Sequence, residues 1–186
     1  MERVTTRDRI EKMAEISLMG RPLHIVPDAM LDWLRDNGFY IAPASTKFHG
    51  DYEGGLFDHS WNVMGQLVEM TKSMGLTWER AESPYIVGVF HDLCKIDQYI
   101  HNASWSPEWE YNKKMILQGH GEKSVMLLSQ FMTLTEEEIC CIRYHMGIFT
   151  EDYEWNDFTR AVRKYPNVLW THHADMYATH VLEERA

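Results

Sequence analysis

Ser83-Pro84-Tyr85-Ile86-Val87-Gly88-Val89-Phe90-His91-Asp92-Leu93-Cys94-Lys95 is the stretch on which the reading of this chain turns. A serine followed by proline suits a helix start with proline at the first helical position. Six residues with no charge then follow, which predicts a central, buried helix from Tyr85 to about Lys95. That helix runs straight into His91 and Asp92. Burying a carboxylate costs several kcal/mol unless it is paired or coordinated to a metal. Imidazole and carboxylate together suit Mn, Fe, Co, Ni or Zn. The absence of cysteine pairs at CxxC spacing argues against a structural zinc site, so the metal expected here is a catalytic one.

Outward from this stretch, the apolar period is helical. A first helix is expected over Thr6 to Met19, with Ile10, Met13 and Ile16 as its stripe and Gly20 and Pro22 ending it. A second is expected from about Pro27 to Asn37, with Met30, Leu31 and Leu34 inward and Gly38 as its stop. Asp58 reads as the N-cap of a third, through Met74, which places His59 in its first turn. Residues 96–118 lack periodicity and read as a loop with room for a short hairpin. Helical pattern returns from Gly121 to about Met132. Thr135 and Glu138 form a capping box for the next helix, which carries His145 at its end and is stopped by Gly147. A short helix over Asn156 to Lys164 is followed by one opened by Pro166, from Asn167 to about Glu183, which bears Asp175. With no set of strands, the expected class is all-α, in a single domain over residues 1–186.

Composition narrows the function. At 186 residues and 45% apolar content, the chain suits one folded domain. Its 18 basic against 28 acidic residues leave a formal charge of −10, which disfavours a long nucleic-acid partner. A small anionic substrate remains compatible if bound cations supply local positive charge. The charged N-terminus and the lack of a long apolar run predict a cytoplasmic protein with neither a signal peptide nor a membrane span. Cys94, Cys140 and Cys141 are expected to be reduced, buried thiols.

Ten histidines are a surplus for this length. His24, His49, His101 and His180 are read as hydrogen-bonded core residues. Four of the other six, His59, His91, His120 and His145, fall into an ordered pattern. Gly54-Gly55-Leu56-Phe57-Asp58-His59-Ser60, Phe90-His91-Asp92-Leu93-Cys94-Lys95, Gly119-His120-Gly121-Glu122-Lys123-Ser124, Arg143-Tyr144-His145-Met146-Gly147 and Ala174-Asp175 resemble, in order, the five motifs of the HD-domain superfamily. The resemblance spans about 54–178, with the helices of residues 1–50 expected to pack onto that core. It is nearest to small bacterial HD hydrolases and to the HD half of a bacterial 3′-to-5′ exoribonuclease, though no counterpart of the latter's nucleic-acid-binding domain is expected here.

The resemblance implies a helical HD-domain fold and two divalent metal ions. It places His59, His91, Asp92 and Asp175 on one metal, and His120, His145 and a bridging Asp92 on the other. Two cations roughly 3.5–4 Å apart can activate a water and neutralise the oxygens of a phosphoryl group. Asp92 and Lys95 then take catalytic roles, since Lys95 follows by one helical turn and can reach a substrate phosphate. The implied activity is hydrolysis of a nucleotide or similar small phosphate ester. Two alternatives share the ligand set or the size: an HD-type di-iron oxygenase similar to myo-inositol oxygenase, and a non-catalytic ligand-sensing module. Glu122 reads either as a partner of the site or as a solvated helix-start residue. His172 can either orient Asp175 or reach the substrate, and His173 points elsewhere. The aromatic segment 99–111 is expected mainly to anchor the core, with base stacking or a lid as the alternative.

Overall fold

The computed structural model describes residues 4–19, 25–102, 108–147 and 155–183. These form eight α-helices: α1 (Thr6–Met19), α2 (Asp28–Asp36), α3 (Gly55–Met74), α4 (Ser83–Phe90), α5 (Gly121–Leu128), α6 (Glu136–Arg143), α7 (Trp155–Lys164) and α8 (Asn167–Tyr177). Strands β1 (Tyr99–His101) and β2 (Trp109–Tyr111) pair antiparallel, with Ile100 opposite Glu110. The class is therefore all-α with one small hairpin. A single cluster of buried apolar side chains runs from Met13 to Ala178, drawing Phe39, Leu56, Val87, Phe90, Ile142 and Val168 into one core. Among the described residues, no helix is long and apolar enough to cross a membrane.

The helix that opens the site begins earlier than expected. Gly54, at φ 84°, is the N-cap of α3, and Asp58 lies inside the helix with His59 just after it, beyond the first turn. Asp58 caps nothing because its carboxylate is already taken. It accepts from Arg9 Nε at 2.9 Å and Arg9 Nη2 at 2.7 Å, which fastens α1 to α3. A Cβ at Gly54 would run into that guanidinium, and one at Gly55 into the Gly50 backbone, so two glycines in a row fit where two chain segments meet.

Helix α4 ends at Phe90, short of the expected Lys95. The backbone turns at Asp92 and continues as a short 3₁₀ segment, Leu93–Asp97. Seven of the eight residues of α4 are buried, and Gly88 lets it cross α3 closely: a Cβ there would collide with the Met64 backbone. Helix α5 stops at Leu128, before Met132, and its last turn closes through Phe131 and Met132 amides on the Leu128 carbonyl. Helix α8 widens after Tyr177 into a π-turn, Ala178–Leu182, a form of helix often found beside functional sites.

The capping box of α6 is present. Thr135 Oγ1 accepts from the Glu138 amide at 3.2 Å, and Glu138 Oε2 accepts from the Thr135 amide at 2.9 Å. Glu138 also accepts from Arg80 Nε at 2.8 Å and from Ser83 Oγ at 2.9 Å, while Asn167 Nδ2 donates to Glu137 Oε1 at 2.8 Å. These bonds tie the starts of α4, α6 and α8 together, and so fix the helices whose far ends or middles carry His91, His145 and Asp175.

Candidate metal centre

His59 comes from α3, His91 from the C-cap of α4, Asp92 from the turn after it, His120 from the N-cap of α5, His145 from just beyond α6, and Asp175 from α8. All six converge. His59 Nε2 lies 3.3 Å from His91 Nε2 and 3.2 Å from Asp175 Oδ1. His120 Nε2 and His145 Nε2 are 3.1 Å apart. Asp92 stands between the two pairs with one oxygen toward each. Its Oδ2 is 3.6 Å from His91 Nε2 and 3.7 Å from His59 Nε2, and its Oδ1 is 3.0 Å from His120 Nε2 and 3.5 Å from His145 Nε2. Lys95 Nζ lies 2.6 Å from Asp92 Oδ2.

The rings are oriented by their other nitrogens. His91 Nδ1 donates to the Gly88 carbonyl at 2.9 Å, and His145 Nδ1 to the Ile142 carbonyl at 2.7 Å. His59 Nδ1 donates to Glu183 Oε1 at 3.0 Å, and His120 Nδ1 sits 3.3 Å from Cys94 Sγ. With Nδ1 engaged in this way, each Nε2 faces the common centre, the arrangement that metal-binding imidazoles adopt. Groups such as His59, His91 and Asp175, or His91, Asp92 and His145, have the donor atoms and spacing to hold a metal ion.

Charge follows this geometry. Burial pushes the His91 imidazole down to about 3, so it is neutral. Burial works against a charged His59 too, but its hydrogen bonds to Asp175 and Glu183 outweigh that and lift it to about 9. In the metal-free protein His59 thus holds a positive charge where a cation can take its place. Burial would raise Asp92, yet Lys95, His91 and His120 hold it well below the usual carboxylate range. Asp175 is lowered against its burial by the hydrogen bond from His59 and by the neighbouring imidazoles. Burial lifts the Cys94 thiol to about 12; Cys94 and Cys141 are buried free thiols as expected, whereas Cys140 is only half-buried.

The centre opens into a cavity of about 890 Å³, lined in part by Lys95, Tyr99, His120, His172, Asp175 and Met176. His172 faces this space and donates from Nδ1 to the His145 carbonyl at 2.8 Å, so it braces the backbone at His145. His173 points away and is exposed. Glu122 pairs with Arg143 on the neighbouring helix end. The aromatic segment divides: Trp109 is buried as an anchor, Tyr99 lines the cavity, and Tyr111 is exposed, while Trp105 and Pro107 lie outside the described residues.

Two histidines read as core residues prove to belong to the site. The His49 ring lies 4.8 Å from the His59 ring, and His180 lines the cavity. His101 is on the hairpin, half exposed, within 3.2 Å of Glu108, and His24 lies outside the described residues. Glu183 was not singled out by sequence, although its side chain is only 10% exposed and holds His59. The signal for it was faint. It lies eight residues after Asp175, and the π-turn between them shifts the helical register that a regular α-helix would impose. His49 lies in a loop where no periodicity operates.

No family model, curated protein or solved structure matches this chain.

Proposed function

We propose that the chain is a metal-dependent phosphohydrolase of the HD-domain type, acting in the cytoplasm on a nucleotide or similar small phosphate ester. The observation that carries this reading is Asp92. It is buried, its two oxygens serve two separate groups of imidazoles, and Oδ1 accepts no hydrogen bond. A buried carboxylate oxygen without a donor is costly, and once a cation displaces the proton of His59 the inward-facing ring nitrogens supply lone pairs, so both sets of atoms suit a cation. His59, His91, Asp175 and Asp92 Oδ2 would hold one divalent ion; His120, His145 and Asp92 Oδ1 would hold a second. When bound, such ions supply positive charge to phosphoryl oxygens and lower the pKa of a water enough for it to act as nucleophile near neutral pH.

The chain's own residues do the rest. The Gly88 and Ile142 carbonyls and Glu183 keep three imidazoles from rotating, so no reorganisation is needed as charge develops. Lys95, buried beside Asp92 and held in its charged form against that burial by the carboxylate, presents an ammonium at the cavity floor for a phosphoryl oxygen. The apolar walls limit water around the ester.

The test is a screen of phosphate esters with the chain loaded with Mn, Fe, Co, Ni or Zn, run beside Asp92→Ala. Phosphate release that requires metal and vanishes in Asp92→Ala is the expected result. Oxygen consumption by the iron-loaded protein on hydroxylated substrates, without phosphate release, would replace this reading with a di-iron oxygenase.

A further inference from the structure

The cavity is far larger than a phosphoryl group needs, and its walls differ from its floor. Beyond the ligand side chains the lining includes Phe48, Tyr99, Met146 and Met176. Phe48 is 79% exposed, unlike the buried Phe39, Phe57 and Phe90, and the loop that carries it is tied by hydrogen bonds. Its backbone amide donates to Ser45 Oγ at 2.8 Å, that hydroxyl donates to the His49 carbonyl at 2.9 Å, and the Ala44 amide donates to the Gly50 carbonyl at 2.8 Å. The loop therefore holds a bare aromatic ring at the cavity, next to His49, which packs on His59. An exposed ring carried on a hydrogen-bonded loop offers a flat group a stacking surface.

Charge sets a second condition. Among the described lining residues the formal charges of the carboxylates and lysines are Asp92, Asp175 and Glu183 against Lys95, a net of two negative charges. Two divalent cations turn this into two positive charges. A phosphate monoester dianion then brings the site to neutrality, whereas a triphosphate leaves it with excess negative charge in a partly buried cavity. No further lysine or arginine lines the described part of the cavity to meet that excess.

We infer that the site takes a phosphate monoester whose alcohol carries a flat apolar group stacked on Phe48, in preference to a di- or triphosphate. This inference rests on the phosphohydrolase reading above. The reaction is R–O–PO₃²⁻ + H₂O → R–OH + HPO₄²⁻: the water oxygen bonds to phosphorus, the P–O bond to the alcohol breaks, and the alcohol oxygen leaves with a proton that the water supplied.

The experiment measures kcat/KM of the manganese-loaded full chain for adenosine 5′-monophosphate, adenosine 5′-triphosphate and glycerol 1-phosphate, in the native sequence and in Phe48→Ala. The monophosphate should be preferred to the triphosphate by more than about ten-fold. Phe48→Ala should lower kcat/KM for adenosine 5′-monophosphate about ten-fold, through KM, and leave glycerol 1-phosphate within about two-fold. Preference for the triphosphate overturns the inference, as does a Phe48→Ala effect that is absent or equal for both monoesters; cleavage in those cases leaves the phosphohydrolase reading standing. Should no ester be cleaved, calorimetry with 3-phenylpropylphosphonate and propylphosphonate decides. Tighter binding of the phenyl compound, lost in Phe48→Ala, supports the stacking site while the hydrolase reading falls. Equal binding, or none, overturns the inference.

Discussion

Two polar clusters in this molecule each centre on a buried carboxylate and differ in how that carboxylate is satisfied. Around Glu138, which is fully buried, both oxygens are engaged: Oε1 by Arg80 and Ser83, Oε2 by Arg80 and the Thr135 amide. Around Asp92, also buried, Lys95 approaches Oδ2, Oδ1 is left without a hydrogen bond, and four imidazole Nε2 atoms face inward. The first cluster closes on itself and holds the helices. The second leaves Asp92 Oδ1 without a hydrogen bond and gathers donor atoms that could hold a metal ion. Buried polar groups that are fully paired stabilise a fold, whereas those left unpaired cost stability until a ligand arrives, which is how a functional cluster can be told from a structural one.

That contrast breaks most sharply at Asp92. Asp92→Ala should abolish metal-dependent phosphate release and, because it strips the buried Lys95 ammonium of its carboxylate, should also lower metal-free stability by about 3 kcal/mol; phosphate assay and calorimetry on the same sample check both. At the other cluster only stability should change. Arg80→Ala should cost about 3 kcal/mol in urea unfolding, the low end for a broken buried pair because Arg80 is itself 36% exposed, and should leave metal content unchanged. A smaller effect is expected where the site meets its support: Glu183→Gln should weaken metal binding by about 10–100-fold by loosening His59, read by competition with a chelator, with little change in metal-free stability. The smallest is Thr135→Ala, which removes one half of the capping box and should lower stability by about 1 kcal/mol without touching the metal site.

The same contrast explains what was legible in the sequence. The structural cluster announces itself locally, because Thr135 and Glu138 are three residues apart and their bonds lie within one turn. The helices around it follow from apolar period and from Gly and Pro stops. The six candidate residues were singled out through their order and local motifs, and the structure brings all six together. Asp58 misled because a helix-start aspartate normally caps, and only the distant Arg9 reveals that its carboxylate is used elsewhere. His49 and Glu183 escaped for a similar reason. Their contacts with His59 span 10 and 124 residues of chain, and each depends on a feature without a periodic signature, a closed loop in one case and a π-turn in the other.

The most direct measurement is the metal content of the purified, reloaded chain, by mass spectrometry, beside that of Asp92→Ala. A bridging Asp92 predicts two divalent ions per native chain and the loss of both, or all but weak residual binding, in the variant. A native chain that takes up no metal, or an Asp92→Ala protein that still holds two ions, would contradict it.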